Sequence, residues 1–127
     1  MCFSFRYKYF RGNKEEILAK LRSILEKEDN VLLAIVFGSF VELESFRDID
    51  IAVYTKSPSF DYVALLGAKL ELDLGIPVDV VLLDELPPRF RYRVLTRGRV
   101  IIEKVPGLYE ALLSQTIDEL LIEKIYI

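Results

Sequence analysis

Apolar and polar positions change their period several times along this chain, and each change marks an element. Phe3, Phe5, Tyr7 and Tyr9 alternate with Ser4, Arg6 and Lys8, the period of two expected of an amphipathic edge strand. Gly12-Asn13 breaks it. From Lys14 to about Glu28 the positions Ile17, Leu18, Leu21, Ile24 and Leu25 share one helical face. Asn13 suits the N-cap of that helix, and Glu15 and Glu16 suit the positive end of its dipole. Val31 to Phe37, Ile49 to Tyr54 and Val78 to Leu83 are nearly unbroken apolar runs, which read as strands covered on both faces. Between the last two, Val63, Leu66, Leu70 and Leu74 predict a helix over 59–74, with Gly75 as its C′ residue and Pro77 soon after. Asp84 to Thr96 reads as a short helix containing Phe90 and Val94 and closed by Gly98; Arg99 to Lys104 reads as a strand. Leu108, Tyr109, Leu112, Leu113, Ile117, Leu120 and Leu121 form the cleanest helical stripe of all.

Strands interleaved with helices give an α+β fold, a mixed β-sheet flanked by α-helices. There is no internal repeat, low-complexity stretch or separating linker, so 1–127 reads as a single domain with its core at about 31–103. The N-terminal strand and helix and the C-terminal helix are additions to that core. They either pack back on it or meet another subunit, so homo-oligomerisation stays open.

Composition narrows the class. Apolar residues make up 52% of the 127 and mean hydropathy is +0.27, matching apolar strands or a surface that a partner covers. No apolar run approaches the roughly 18–20 residues of a membrane span, and the start lacks the order of a secretory signal. One cysteine, Cys2, and no histidine exclude an internal disulfide and the usual zinc sites. The cytoplasm is the expected location. Seventeen basic against 20 acidic residues leave a net charge of −3, which argues against a long nucleic acid partner. It leaves room for a small nucleotide accompanied by magnesium.

The candidate chemistry begins at Gly38-Ser39, which leaves one apolar run, and continues at Asp48-Ile49-Asp50, which enters the next. On a strand, positions i and i+2 share a face, so Asp48 and Asp50 project together, and adjacent carboxylates repel unless a cation lies between them. Asp79 is the one charge in the third run. Each piece has an ordinary reading: a turn cap, a strand-to-helix turn, a buried acid with a local partner. If the two strands are neighbours, the three carboxylates meet at one end of the sheet, an all-oxygen set suited to two magnesium ions about 3.5–4 Å apart. A short helix from Ser39 to about Leu43 would turn its N–H groups toward phosphate oxygens. Arg89, Arg91, Arg93, Arg97 and Arg99 fall within eleven residues, and Arg89, Arg93 and Arg97, spaced by four, share one side of a helix; a solvated face is the favoured reading, a docking face for an acidic partner or RNA the other.

In this order, Phe37-Gly38-Ser39, Asp48-Ile49-Asp50-Ile51-Ala52-Val53, Val78-Asp79-Val80-Val81 and the segment Val94 to Glu103 resemble the nucleotidyltransferase superfamily of DNA polymerase beta, especially the minimal nucleotidyltransferases. The resemblance implies that Asp48 and Asp50 ligate both magnesium ions and the nucleotide phosphates. It implies that Asp79 ligates the catalytic ion and helps deprotonate the acceptor, and that Gly38 and Ser39 hold the β- and γ-phosphates. The implied reaction is attack of an acceptor hydroxyl on the α-phosphorus of a nucleoside triphosphate, ATP by preference. The implied setting is an antitoxin that adenylylates a HEPN-type toxin protein on tyrosine.

The chain departs from the family in the loop. Eight residues separate Ser39 from Asp48, fewer than is usual, and Glu42 and Glu44 stand where small members carry a basic segment. Arg47 is the candidate replacement contact for phosphate, or a surface ion pair. Two functions therefore compete: a nucleotidyltransferase, and an inactive module of the same fold that neutralises its toxin by binding. An aminoglycoside-type transferase is a third, for which the chain is short.

Overall fold

The computed structural model describes residues 13–126; the aromatic strand expected over 3–9, and Cys2, lie outside them. Among the described residues the order is α1 (Lys14–Glu26), β1 (Val31–Phe37), α2 (Ser39–Glu42), β2 (Ile49–Thr55), α3 (Phe60–Leu74), β3 (Val78–Leu82), a 3-10 turn (Leu83–Glu85), α4 (Pro88–Arg97), β4 (Arg99–Glu103) and α5 (Leu108–Tyr126). Asn13 caps α1 as its side chain predicts, accepting from the N–H groups of Glu15 at 3.0 Å and Glu16 at 3.3 Å. Ser59 caps α3, and Gly75 ends it in the left-handed region.

The sheet order is β3-β2-β1-β4. β1 runs antiparallel to both β2 and β4, while β2 and β3 are parallel. The parallel β2–β3 pair follows from α3, since parallel neighbours need a crossover between them. The sheet is therefore mixed, as expected. Its two faces build two cores. On one, α1 contributes Leu18, Leu21 and Leu25, and α3 contributes Val63, Leu66 and Leu70, all against Val36, Ile51 and Val80. On the other, Val94 and Leu95 of α4 and Leu112 of α5 pack over Leu33, Ile35 and Ala52. Odd and even positions of β1 and β2 thus face different helix layers, which is why their apolar runs are unbroken.

Two expectations are corrected. The helix expected from Asp84 begins only at Pro88. Leu86 and Pro87 each precede a proline and are extended, at φ −74°, ψ 141° and φ −56°, ψ 148°, because proline excludes the helical region for the residue before it. Asp79 is exposed rather than buried, because β3 is the outer strand among the described residues. The C-terminal stripe, for which the sequence leaves both placements open, is half covered. Leu112 and Thr116 are buried, whereas Ile117, Leu121 and Ile122 are 39%, 55% and 55% exposed.

Buried Arg91 joins α5 to α4. Its guanidinium donates to Thr116 Oγ1 at 3.3 Å, to Glu119 Oε2 at 2.5 Å and to the Leu86 carbonyl at 3.0 Å. At the other end of α4, Gly98 lies hard on β1. A Cβ there would meet Ile35 Cγ2 and the Val94 carbonyl oxygen, each at 2.5 Å, so no larger residue fits without moving the helix.

Candidate active site

β1 delivers its chemistry at its last residue. After Phe37 the chain turns at Gly38, with φ 81° and ψ −154°, a conformation open to glycine and strained for other residues. Ser39 then starts the single turn of α2, and the chain returns through a short loop to β2. A Cβ on Gly38 would stand 2.6 Å from Asp50 Oδ2. The glycine therefore allows the backbone turn and the carboxylate to occupy adjacent space.

The aspartates are set by register. Asp50 is paired with Phe37 across β1 and β2, and with Asp79 across β2 and β3. Alternation places both carboxylates on the face shared by Ala52 and Val81, the side on which α4 and α5 pack. Asp48 lies two residues ahead of Asp50, half-buried at the strand entrance. Burial, then the charge of Asp48, then that of Asp79, push the Asp50 carboxyl up to about 6. The start of both strands is tied down nearby: the Ile49 N–H donates to the Pro77 carbonyl and the Val78 N–H to Glu71 Oε1, each at 2.9 Å.

The short acidic loop is anchored from behind. Phe40 and Phe46 are buried edge-to-face, 4.7 Å between centroids at 75°. The Lys14 ammonium lies 5.4 and 5.8 Å from those two rings and donates to the Leu43 carbonyl. A cation from α1 thus supports the loop in which the sequence shows two acids. Glu44 is exposed, but Glu42 does not turn away; it lines a cleft beside Gly38.

That cleft, about 220 Å³, holds the residues that sequence reasoning missed. Phe37, Phe90, Arg93 and Arg97 line it together with Gly38 and Glu42. Phe37 and Phe90 meet edge-to-face at 5.9 Å and 85°. Four of the five arginines divide by partner. Arg91 is buried with Thr116 and Glu119, and Arg99 forms a bidentate pair with Glu15 at 2.9 and 3.2 Å. Arg93 and Arg97 form no hydrogen bond or ion pair among the described residues and face the cleft. The i, i+4 spacing was a visible signal; what it faces was not. Ser39 is half-buried at the start of α2, and Arg47 is exposed before β2, outside the lining of this cleft.

The donor set suits a hard divalent cation in kind: carboxylate oxygens only, with an Asp50 carboxyl raised first by burial and then by the charges of Asp48 and Asp79, the part that a cation would relieve. As the side chains stand, no three acidic, His or Cys residues among those described are drawn together closely enough to enclose an ion. No helix of the described residues is long and apolar enough to cross a membrane.

Residues 19–106 match the family described as "Polymerase beta, Nucleotidyltransferase". No curated protein matches the chain. Among solved structures, a chain of the MntA–HepT toxin–antitoxin crystal structure is 21% identical with a TM-score of 0.67, covering 89% of this chain and 99% of that one. A chain from the complex of a tri-AMPylated Shewanella oneidensis HEPN toxin with MNT antitoxin is also 21% identical, with a TM-score of 0.70 and coverage of 91% and 100%. A toxin–antitoxin structure with AMP-PNP contributes a chain at 23% identity, TM-score 0.67, covering 91% and 100%. At these identities the likeness establishes a shared fold.

Proposed function

This chain belongs to the polymerase beta nucleotidyltransferase family, and from that premise we propose that it transfers AMP from ATP to a hydroxyl on a HEPN-type toxin partner. The observation that carries the reading is the direct pairing of Asp50 with Asp79 across β2 and β3, with Asp50 Oδ2 against the Gly38 turn. Support for an adenosine nucleotide comes from the solved structure with AMP-PNP, and support for a protein acceptor from the tri-AMPylated toxin complex. The whole chain, 1–127, acts as one domain in this reading, in the cytoplasm where ATP and magnesium are supplied.

Asp48 and Asp50 would hold divalent ions together with the phosphates, and Asp79 would complete the set on the acceptor side. Bound magnesium, two ions in this reading, would supply charge stabilisation at the phosphorus and orient the reacting oxygens. The Gly38 and Ser39 backbone positions the β- and γ-phosphates, with Arg47 as a further contact. The acceptor oxygen forms a bond to the α-phosphorus as the bond to the β-phosphate oxygen breaks, and pyrophosphate leaves. Asp79, exposed at the sheet margin, takes the acceptor proton.

The test is transfer of label from α-labelled ATP and magnesium to the product of the neighbouring gene. Transfer that disappears in Asp48→Asn and in Asp79→Asn is the expected result. Glu42 in the cleft favours the second reading, an inactive module that neutralises by contact. Equal neutralisation by the wild type and both variants, with no label moved, would establish it.

A further inference from the structure

The loop after Ser39 sets Glu42 and Glu44 against one cation, Arg47, which stands outside the cleft, and the fold supplies further positive charge from a different element. We infer that Arg93 and Arg97 of α4 bind the terminal phosphates of the nucleoside triphosphate, in the cleft that opens beside Gly38. The inference rests on the nucleotidyl-transfer reading and adds to it the direction in which the nucleotide lies.

Three observations combine. Gly38 separates two opposite fields. On one side stands Asp50, whose Oδ2 nearly touches the position of a Gly38 Cβ, with Asp48 and Asp79 close enough to raise it. On the other side is the cleft with Arg93 and Arg97. A chain of phosphates passing Gly38 fits that polarity in one orientation only. The α-phosphate lies toward the carboxylates and their cation, and the β- and γ-phosphates lie toward the guanidinium groups. Second, these two arginines have no partner among the described residues, while Arg91 and Arg99 on either side are engaged. Guanidinium remains charged at any working pH and matches phosphate oxygens in a bidentate fashion. Third, their placement is fixed. The contact of Gly98 with Ile35 and Val94 seats the end of α4 on β1 a few residues before the turn at Gly38. Phe90 against Phe37 holds the preceding turn of the helix. Arg93 and Arg97 are thus presented at the phosphate turn by backbone packing rather than by a flexible segment.

Glu42 shares the cleft and opposes any anion there. With Glu42 present, both arginines are required, since one guanidinium is partly cancelled by the acid.

The test compares binding of ATP and of AMP, each with magnesium, to the purified full chain. Arg93→Ala combined with Arg97→Ala should weaken ATP about 100-fold or more, from two lost charge-assisted contacts, and leave AMP within about twofold. Arg93→Lys with Arg97→Lys should recover part of the ATP affinity, because charge returns without the bidentate fork. Arg89→Ala, one helical turn away and outside this cleft, should leave both ligands unaffected. Because the two arginines are exposed, an unchanged melting temperature will accompany the double alanine variant. Unchanged ATP affinity in that variant, or equal losses for ATP and AMP, overturns the inference and leaves nucleotidyl transfer standing. Wild-type protein that binds no ATP overturns both. Loss of ATP selectivity as expected, in a protein that labels no acceptor, upholds the cleft and removes the transfer reading.

Discussion

The two sides of Gly38 are built on different principles. The carboxylate side is a product of strand register: Asp50 and Asp79 are paired because β2 and β3 are aligned, and Asp48 stands just ahead of β2, near enough for its charge to act on Asp50. The arginine side is a product of tertiary contact: α4 reaches the turn only because Gly98 allows it to lie on β1. Chemistry that depends on register is written locally and survives most surface change. Chemistry that depends on one close packing contact disappears when that contact loosens. The first supplies reactivity in the proposed reaction, and the second supplies hold on the substrate.

The sharpest break is expected on the carboxylate side. Asp48→Asn or Asp79→Asn should lower label transfer by about 10³-fold or more, the scale of several kcal/mol of metal-dependent charge stabilisation. Far-ultraviolet circular dichroism should be unchanged for Asp79→Asn, since Asp79 is exposed. Next comes the divide itself. Gly38→Ala must adopt φ 81° and push Asp50 aside, costing about 1–3 kcal/mol. A lower melting temperature and loss of ATP binding should appear together, because a single atom disturbs both sides.

A subtler distinction is available from pH without divalent ions. Native Asp50 keeps its proton up to about 6, against 3.8 for the ordinary carboxyl. The folded chain then holds more protons than the unfolded chain between those values, so this residue makes stability fall as pH rises through that window. Asp50→Asn abolishes the fall. The variant should be more stable than wild type above pH 6, by about 1–2 kcal/mol once solvent screening of a partly exposed group is allowed for. The two should converge below about pH 4, and magnesium should raise the wild type alone. Denaturant titrations at three pH values read this directly. The smallest effect belongs to the arginine side: Glu42→Gln should tighten ATP binding roughly 2–5-fold, the scale of one exposed charge.

How much of this was legible follows the same division. Gly38-Ser39, the aspartate pair and the strand carrying Asp79 were apparent because strand periodicity is local. The exposure of Asp79 was not, because strand order is a property of the whole sheet, and an apolar run looks the same in an outer strand as in a central one. The start of α4 was written in Pro87-Pro88, but the apolar and charged spacing from Asp84 obscured it. The arginine face was read correctly as helical with i, i+4 spacing. Its orientation depended on a glycine whose role is steric, at φ −75° and ψ 170°, and such a role leaves no pattern. The C-terminal stripe shows the converse: a continuous apolar face in sequence, of which α4 covers only the first half.

The position of β3 has a consequence for what can be modified. An acid at the bottom of a pit restricts its reaction to molecules slender enough to enter. Asp79 instead stands on the outermost strand among the described residues, open to the surroundings. Among the described residues nothing at that location limits the bulk of an incoming acceptor, so in the proposed reaction a hydroxyl still mounted on a folded protein can be presented to it as readily as a free metabolite. Selectivity must then be exercised by surfaces away from the reacting atoms. The same catalytic core can therefore be directed to a new acceptor by changing its periphery alone.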